Sequence, residues 1–189
     1  PARKSDLALP PTAASGLDIG KARIENGRRV EGPLSFAAKN AIRLRDLQDV
    51  LVRVMRPELL GSPARDTAST DDLDYVRQAL GTLPSESGLA GFARNVVADY
   101  NYVPFLRGVE RVRARGKFRI HTKVGQAYGF LVCNAYVVDL ETKRSFFLVA
   151  SIYANPDDTL NDDVYAYDTV ALPVMADVAE VVTRHALRD

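Results

Sequence analysis

The chain has 189 residues, of which 47% are hydrophobic and 26% are charged, a balance typical of a folded domain and not of a disordered chain. Its 25 basic and 24 acidic side chains leave a net charge of +1, whereas a dedicated nucleic-acid-binding protein usually has a clear basic excess. No run of about 18 apolar residues is present, so no membrane span is predicted. The one cysteine, Cys133, excludes an intrachain disulfide and is expected to be a small core residue.

The first part of the chain changes from irregular to helical patterning. Residues 1–34 are rich in Pro, Gly, Ala and charged residues without a sustained period, which predicts irregular chain with one short strand at most. Apolar residues within Leu44–Met55 then share one helical face, and Pro57 ends that helix. Ser69 or the threonine after it, followed by two aspartates, marks the start of a second helix that reaches Leu83.

After Arg107 the hydrophobic period changes from helical to two, which indicates strands. A third, short helix is predicted just before this change, between residues 92 and 102. The predicted elements that follow are strands at 111–123, 128–140 and 145–153, with a hairpin turn at 141–143 and a last helix at 168–187. A helical part (40–106), then an antiparallel sheet with one helix packed on it (107–189), make an α+β arrangement.

The first predicted strand has a basic face. Its odd positions are Arg111, Arg113, Arg115, Lys117, Arg119, His121 and Lys123, whereas its even positions are mostly apolar. Because side chains alternate along a strand, these cations are expected on one face, which we call the cationic strip. A strip that ends at a lysine next to a glycine suits an anionic ligand such as a carboxylate or an oxyanion. The alternative is a solvated edge strand whose charges deter aggregation.

Three further groups of residues have both a structural and a functional interpretation. His121 is a candidate general base or substrate contact, although a polar surface histidine is the commoner case. The Asp/Asn-rich loop at 155–163 has oxygens that calcium prefers, but it lacks the central glycine and terminal glutamate of an EF-hand, which favours turn formation. The tyrosines between 128 and 167 are explained by sheet packing better than by base stacking. No metal, no cofactor and no nucleic-acid partner are therefore predicted.

The strand end also carries a resemblance to a known family. The pattern K-x-G-x-A-Y-G-F begins at Lys123, and N-D-D-x-Y-x-Y-D begins at Asn161. With the helical run upstream, residues 30–185 resemble the C-terminal part of penicillin-recognising serine hydrolases, which have the class A β-lactamase fold. The resemblance implies a β-lactamase-like α+β fold, a periplasmic or secreted location and acyl transfer to a serine.

The resemblance also implies roles for the strand end. Lys123 and Gly125 match the lysine and glycine of the family's Lys-Thr/Ser-Gly triplet, and Gln126 would offer its backbone N–H to an oxyanion. Val124 stands where the family has a hydroxyl residue, which favours an ester or amide other than a β-lactam. Lys123 and Gln126 are therefore the implied catalytic residues. The implied substrate-binding residues are Arg119, His121, Val124 and Gly125.

The family's nucleophile lies in Ser-x-x-Lys, and this spacing occurs nowhere in the sequence. Ser35 precedes Lys39 by four positions, so it does not match. We therefore expect residues 35–189 to form the C-terminal half of such a hydrolase, completed by an N-terminal segment, and the chain alone to be inactive. The alternative is a non-catalytic binding module of the same fold that holds an anionic ligand on the basic strand.

Overall fold

The computed structural model describes residues 16–39, 41–61, 68–92 and 96–188. In this part of the chain the helices are α1 Leu44–Met55, α2 Thr70–Gly81, α3 Val96–Tyr102, α4 Leu106–Glu110 and α5 Leu172–Ala186. The strands are β1 Asp18–Ile19, β2 Ala22–Glu25, β3 Arg28–Glu31, β4 Leu34–Ser35, β5 Phe118–Ala127, β6 Phe130–Asp139, β7 Ser145–Tyr153 and β8 Thr159–Leu160. The predicted α+β class is confirmed.

The first two helices form where their sequence signals lie. Helix α1 spans the predicted residues, buries Leu51 and Val52, and gives way to a short 3-10 turn at Pro57. Helix α2 begins with a capping box: the Asp72 N–H donates to Ser69 Oγ at 3.2 Å, and the Ser69 N–H donates to the Asp72 carboxylate at 3.1 Å. These reciprocal bonds satisfy backbone groups that a helix start otherwise leaves unpaired.

The described part of the predicted irregular segment, residues 16–34, is more regular than expected, and residues 1–15 lie outside the described residues. Strands β2 and β3 form a hairpin around Asn26 and Gly27, which both have positive φ, as a two-residue type I′ turn requires. Strand β2 also pairs in parallel with β8, far along the chain. Strands of two to four residues are too short to show a period, so periodicity alone did not reveal them.

The predicted strand 111–123 begins too early. Helix α4 and a turn occupy the chain up to Gly116, and β5 starts at Phe118. The reason is packing: Leu106 and Val109 are fully buried on a helical face against α5. The alternation of basic and small residues after this helix imitates a strand without forming one, so the cationic strip is a strand face only from Arg119 onward.

The three-stranded antiparallel sheet β5-β6-β7 is present as predicted. Its core face contributes Leu131, Cys133 and Val137, which lie in one buried cluster with Phe105 and Met175 of the helical layer. Helix α1 lies against β6 and β7, whereas α5 packs on α4 and β7. A single turn of π-helix, Tyr167–Ala171, precedes α5. Pro173 lies in the first turn of α5, as expected.

We predict that Gly108→Ala destabilises the fold by about 3 kcal/mol or more, because α4 and α5 cross at this glycine. An added Cβ would lie 1.9 Å from the backbone oxygen of Ala176, which cannot move aside. At a helical glycine with free space around it, the same substitution would instead stabilise the fold, because alanine has the higher helix propensity. Urea unfolding of the purified variant measures the change.

The matched control is Gly125→Ala in β5, where an added Cβ meets no heavy atom within 4 Å. We expect this variant to unfold at nearly the wild-type urea concentration. Equal stability of the two variants would contradict the close approach of α4 and α5.

Candidate functional site

At the end of β5, the hydrogen-bond pattern with β6 determines which backbone N–H groups point to solvent. Strands β5 and β6 join through a two-residue turn, Tyr128 and Gly129, with φ of 55° and 83°. This is a type I′ turn, so the flanking pair Ala127 and Phe130 is hydrogen-bonded. Because bonded and non-bonded pairs alternate along an antiparallel ladder, the N–H of Gln126 points away from β6. At the other end of the ladder, the Leu140 N–H donates to the Lys117 carbonyl. Lys117 is an odd-numbered position like Ala127, so both ends agree that the odd positions of β5 are the ones bonded to β6.

The outward N–H of Gln126 is accessible. It has no hydrogen-bond partner among the residues that the structure describes. The preceding Gly125 has no side chain, and no heavy atom lies within 4 Å of where a Cβ would be. A ligand can therefore reach this N–H from the free edge of the sheet.

Lys123 lies two residues before Gly125 and is exposed. Its Nζ donates to the carbonyl oxygen of Val124 at 2.7 Å. Within the described ranges it has no acidic partner. An ammonium without an acidic partner and a backbone N–H without a hydrogen-bond partner therefore lie on the same short stretch of the described sheet edge.

The other cations of the strip are occupied by acids. Their ion pairs are Arg111 with Asp177 and Glu180, Arg113 with Asp139, Arg115 with Asp99 and Glu110, Lys117 with Glu141, and Arg119 with Glu86. The expectation that the strip is one free cationic face does not hold. Its residues come from a helix end, a turn and a strand, so each meets a different acidic neighbour. The attraction for an anion is limited to the strand end.

Three of the predicted substrate-binding side chains are engaged elsewhere. Arg119 pairs with Glu86 at 3.1 Å. His121 lies against α2, where its Nδ1 is 3.0 Å from the Arg77 carbonyl oxygen. The side chain of Val124 packs against the core, so it offers only its backbone to the edge. The structure thus leaves Lys123, Gly125 and Gln126 together at the open edge and separates the others from it.

Next to Gln126 lies a broad cleft of about 580 Å³ that the sequence did not indicate. Its lining residues are Gln126, Ala127, Tyr128, Asn161, Asp163, Tyr165 and Tyr167. The Asn161 N–H donates to Tyr165 Oη at 2.9 Å, and the Gly129 N–H donates to Tyr167 Oη at 2.8 Å, which holds the loop and the hairpin together. One signal was available: an aromatic residue at the first position of a type I′ turn, where Asn, Asp or Gly is usual.

The acidic loop between β7 and α5 uses its side chains for turns. The carboxylate of Asp157 accepts from the Thr159 N–H, and that of Asp162 accepts from the Val164 N–H. Among the described residues no group of three or more His, Cys, Asp or Glu is arranged to hold a metal ion. The turn interpretation therefore accounts for this loop.

Cys133 is fully buried in the sheet, and its burial raises the pKa of the thiol to about 12. The thiol is therefore protonated at neutral pH and is not a nucleophile. Its expected place in the core is confirmed.

Comparisons with protein-family models, with curated proteins and with solved structures found no match to this chain. In the described part, no helix is both long and apolar enough to cross a bilayer.

We predict that His121 makes the stability of the fold depend on pH between about pH 7 and pH 5. Burial lowers the pKa of His121 below the value of about 6.5 expected in the unfolded chain. As the pH falls, the unfolded state therefore takes up a proton first, and the free energy of unfolding decreases. Urea unfolding at a series of pH values measures this slope.

His121→Gln is expected to flatten the slope in this window. The control is His185→Gln, at the exposed C-terminal end of α5, which should leave the slope as it is. A wild-type free energy that stays constant from pH 7 to pH 5 would contradict the assignment.

Proposed function

We propose that this chain forms part of an acyl-transfer site of a β-lactamase-like serine hydrolase that acts on an ester or amide. The proposal rests on one observation, the outward and unpaired N–H of Gln126 beside the bare Gly125. When an oxygen nucleophile attacks a carbonyl, negative charge develops on the carbonyl oxygen. A fixed N–H at an accessible edge suits that charge, because it needs no reorganisation during the reaction.

Lys123 supports the same chemistry. Its ammonium has no acidic partner in the described part of the chain, so its positive charge is available at the edge. In the proposed site it attracts an anionic group of the substrate and takes part in proton movement near the attacking hydroxyl. The bond from Nζ to the Val124 carbonyl is one that a substrate carboxylate could replace.

The serine nucleophile is proposed to come from polypeptide outside these residues, because the sequence has no Ser-x-x-Lys. The complete protein would then place that serine against the free edge of β5. A periplasmic or secreted location is part of the same proposal, since it follows from the resemblance alone.

The first test compares the 189-residue chain with the product of its complete reading frame. We expect the chain alone to give no turnover of p-nitrophenyl acetate and no serine labelled by a fluorophosphonate. The complete protein should give both, with one labelled serine in Ser-x-x-Lys. Turnover by the chain alone with a labelled serine of its own would contradict the proposal.

Two substitutions at one position test the role of the backbone. In the complete protein, Gln126→Pro removes the N–H and should lower kcat about 100-fold or more, as the loss of an oxyanion donor does in other enzymes. An edge strand tolerates proline where the N–H faces solvent, so the sheet should persist. Gln126→Ala keeps the N–H and is expected to retain kcat within about threefold, a change of under 1 kcal/mol.

The alternative, a binding module for an anion, uses the same N–H and ammonium without a nucleophile. It predicts that the complete protein binds a small carboxylate such as acetate, that Lys123→Met abolishes this binding, and that no serine is labelled. Labelling of one serine by the fluorophosphonate decides for the hydrolase.

A further inference from the structure

The cleft beside Gln126 has aromatic walls and an acidic rim. Three tyrosines contribute to it, and the rings of Tyr165 and Tyr167 lie 5.3 Å apart, inclined at 55° to each other. Two inclined rings form a V whose faces are negative, because the π-electrons of an aromatic ring give its face a negative potential. Such walls attract a positive group and give a neutral group only ordinary packing.

The acidic rim includes a carboxylate, that of Asp163, without an ion-pair partner in the described part of the chain. Asp163 is exposed, and no ion pair or hydrogen bond to its carboxylate occurs among the described residues. Asp163 and Tyr165 line the same cleft. Burial is the largest cause that raises the pKa of the Tyr165 hydroxyl, and the charges of Asp162 and Asp163 add to it. The carboxylate and the tyrosine rings therefore border the same space.

One ring of the cleft already holds a cation of the chain itself. The Nζ of Lys39 lies 5.8 Å from the centre of the Tyr128 ring and 5.8 Å from that of Phe36. These two rings meet edge to face, with centres 5.1 Å apart. The position of Lys39 shows that an ammonium group is accommodated against the tyrosine at the tip of the hairpin.

The hairpin tip at the cleft holds an aromatic residue in a costly backbone conformation. Tyr128, Asn161 and Asp163 all have φ between 55° and 61°, in the left-handed region. For a bulky residue such as tyrosine this conformation is unfavourable, and Asn or Gly would fill the turn at lower cost. The tyrosine ring is therefore better explained by what it contacts than by the turn that it occupies.

We propose that this cleft binds a small organic cation, an ammonium group on an alkyl framework, between the tyrosine rings and the carboxylate of Asp163. Binding of the cation does not depend on the proposed function, whereas its assignment to a substrate does. If acyl transfer occurs at Gln126, the cation belongs to the ester or amide substrate whose carbonyl lies at that N–H.

The test is a titration of the isotopically labelled 189-residue chain with choline, followed by amide NMR shifts. Its matched ligand is the uncharged isostere in which a tert-butyl group replaces the trimethylammonium group. We expect saturable shifts confined to residues 126–129 and 161–167, and at least about fivefold weaker binding of the isostere. The titration involves no reaction, so it separates failure of the cation site from failure of the hydrolase proposal.

Two variants remove the proposed contacts while keeping the backbone. Asp163→Asn removes the charge and Tyr128→Asn removes a ring, and asparagine suits the left-handed conformation at both positions. Each should weaken choline binding about threefold, the effect of one exposed charge or ring contact. The matched controls are Asp49→Asn in α1 and Tyr75→Leu in α2, both exposed and remote from the cleft in the described fold, which should bind as the wild type does.

Three results would overturn the proposal. The first is the absence of shifts up to tens of millimolar choline. The second is equal binding of choline and its isostere, which would mean that the cleft only packs against apolar groups. The third is unchanged binding by Asp163→Asn with a wild-type spectrum elsewhere. The amide spectrum of each variant reports whether it is folded, so a loss of binding is assigned only to folded protein.

Discussion

The parity of the β5–β6 ladder is the constraint on which the candidate site depends. A turn of two residues fixes which pairs are hydrogen-bonded, and every N–H along β5 then points either to β6 or to the free edge. A shift of β5 by one residue would direct the N–H of Gln126 into the sheet, but it would also turn Phe118, Ile120 and Val124 away from the core. The burial of these side chains therefore fixes the direction of the N–H, together with the turn at Tyr128 and Gly129.

The elements that sequence analysis located well are those with a local signal. Helix α1 has one apolar face, α2 has the capping box of Ser69, and β7 is a run of apolar residues after a clear turn. These signals were sufficient because propensity, patterning and end chemistry agree within one segment. The same agreement placed Cys133 in the core.

The elements that the sequence did not reveal depend on contacts between distant parts of the chain. The pairing of β2 with β8 joins residues more than a hundred positions apart, and α4 is helical because Leu106 and Val109 meet α5. The cleft was missed for the same reason, since its tyrosines come from a hairpin tip and a separate loop. Composition gave the nearly neutral balance of charge, but it could not assign each basic side chain to its acidic neighbour.

The ion pairs of the strip divide into two kinds. Asp99 and Asp139 are fully buried, and each is held by an arginine at 2.7 Å, whereas Lys117 and Arg119 pair with acids at the surface. The hydrogen bond from Arg113 is the main cause that lowers the pKa of Asp139 to about 2. Loss of the arginine from either buried pair leaves a buried carboxylate without its opposite charge, whereas the surface pairs contribute little. Most of the strip is thus structural.

The pairing of β2 with β8 ties the beginning of the described chain to the loop that carries Asn161. The Lys21 N–H donates to the Asp158 carbonyl at 2.8 Å, and Arg29 reaches Thr159 Oγ1 at 2.7 Å. A shorter version that starts near residue 36 would be an obvious choice for crystallisation. It would lose the pairing of β2 with β8 and these two hydrogen bonds. Its sheet and helices would keep their own core, but the tyrosine loop would lose the strand that anchors it.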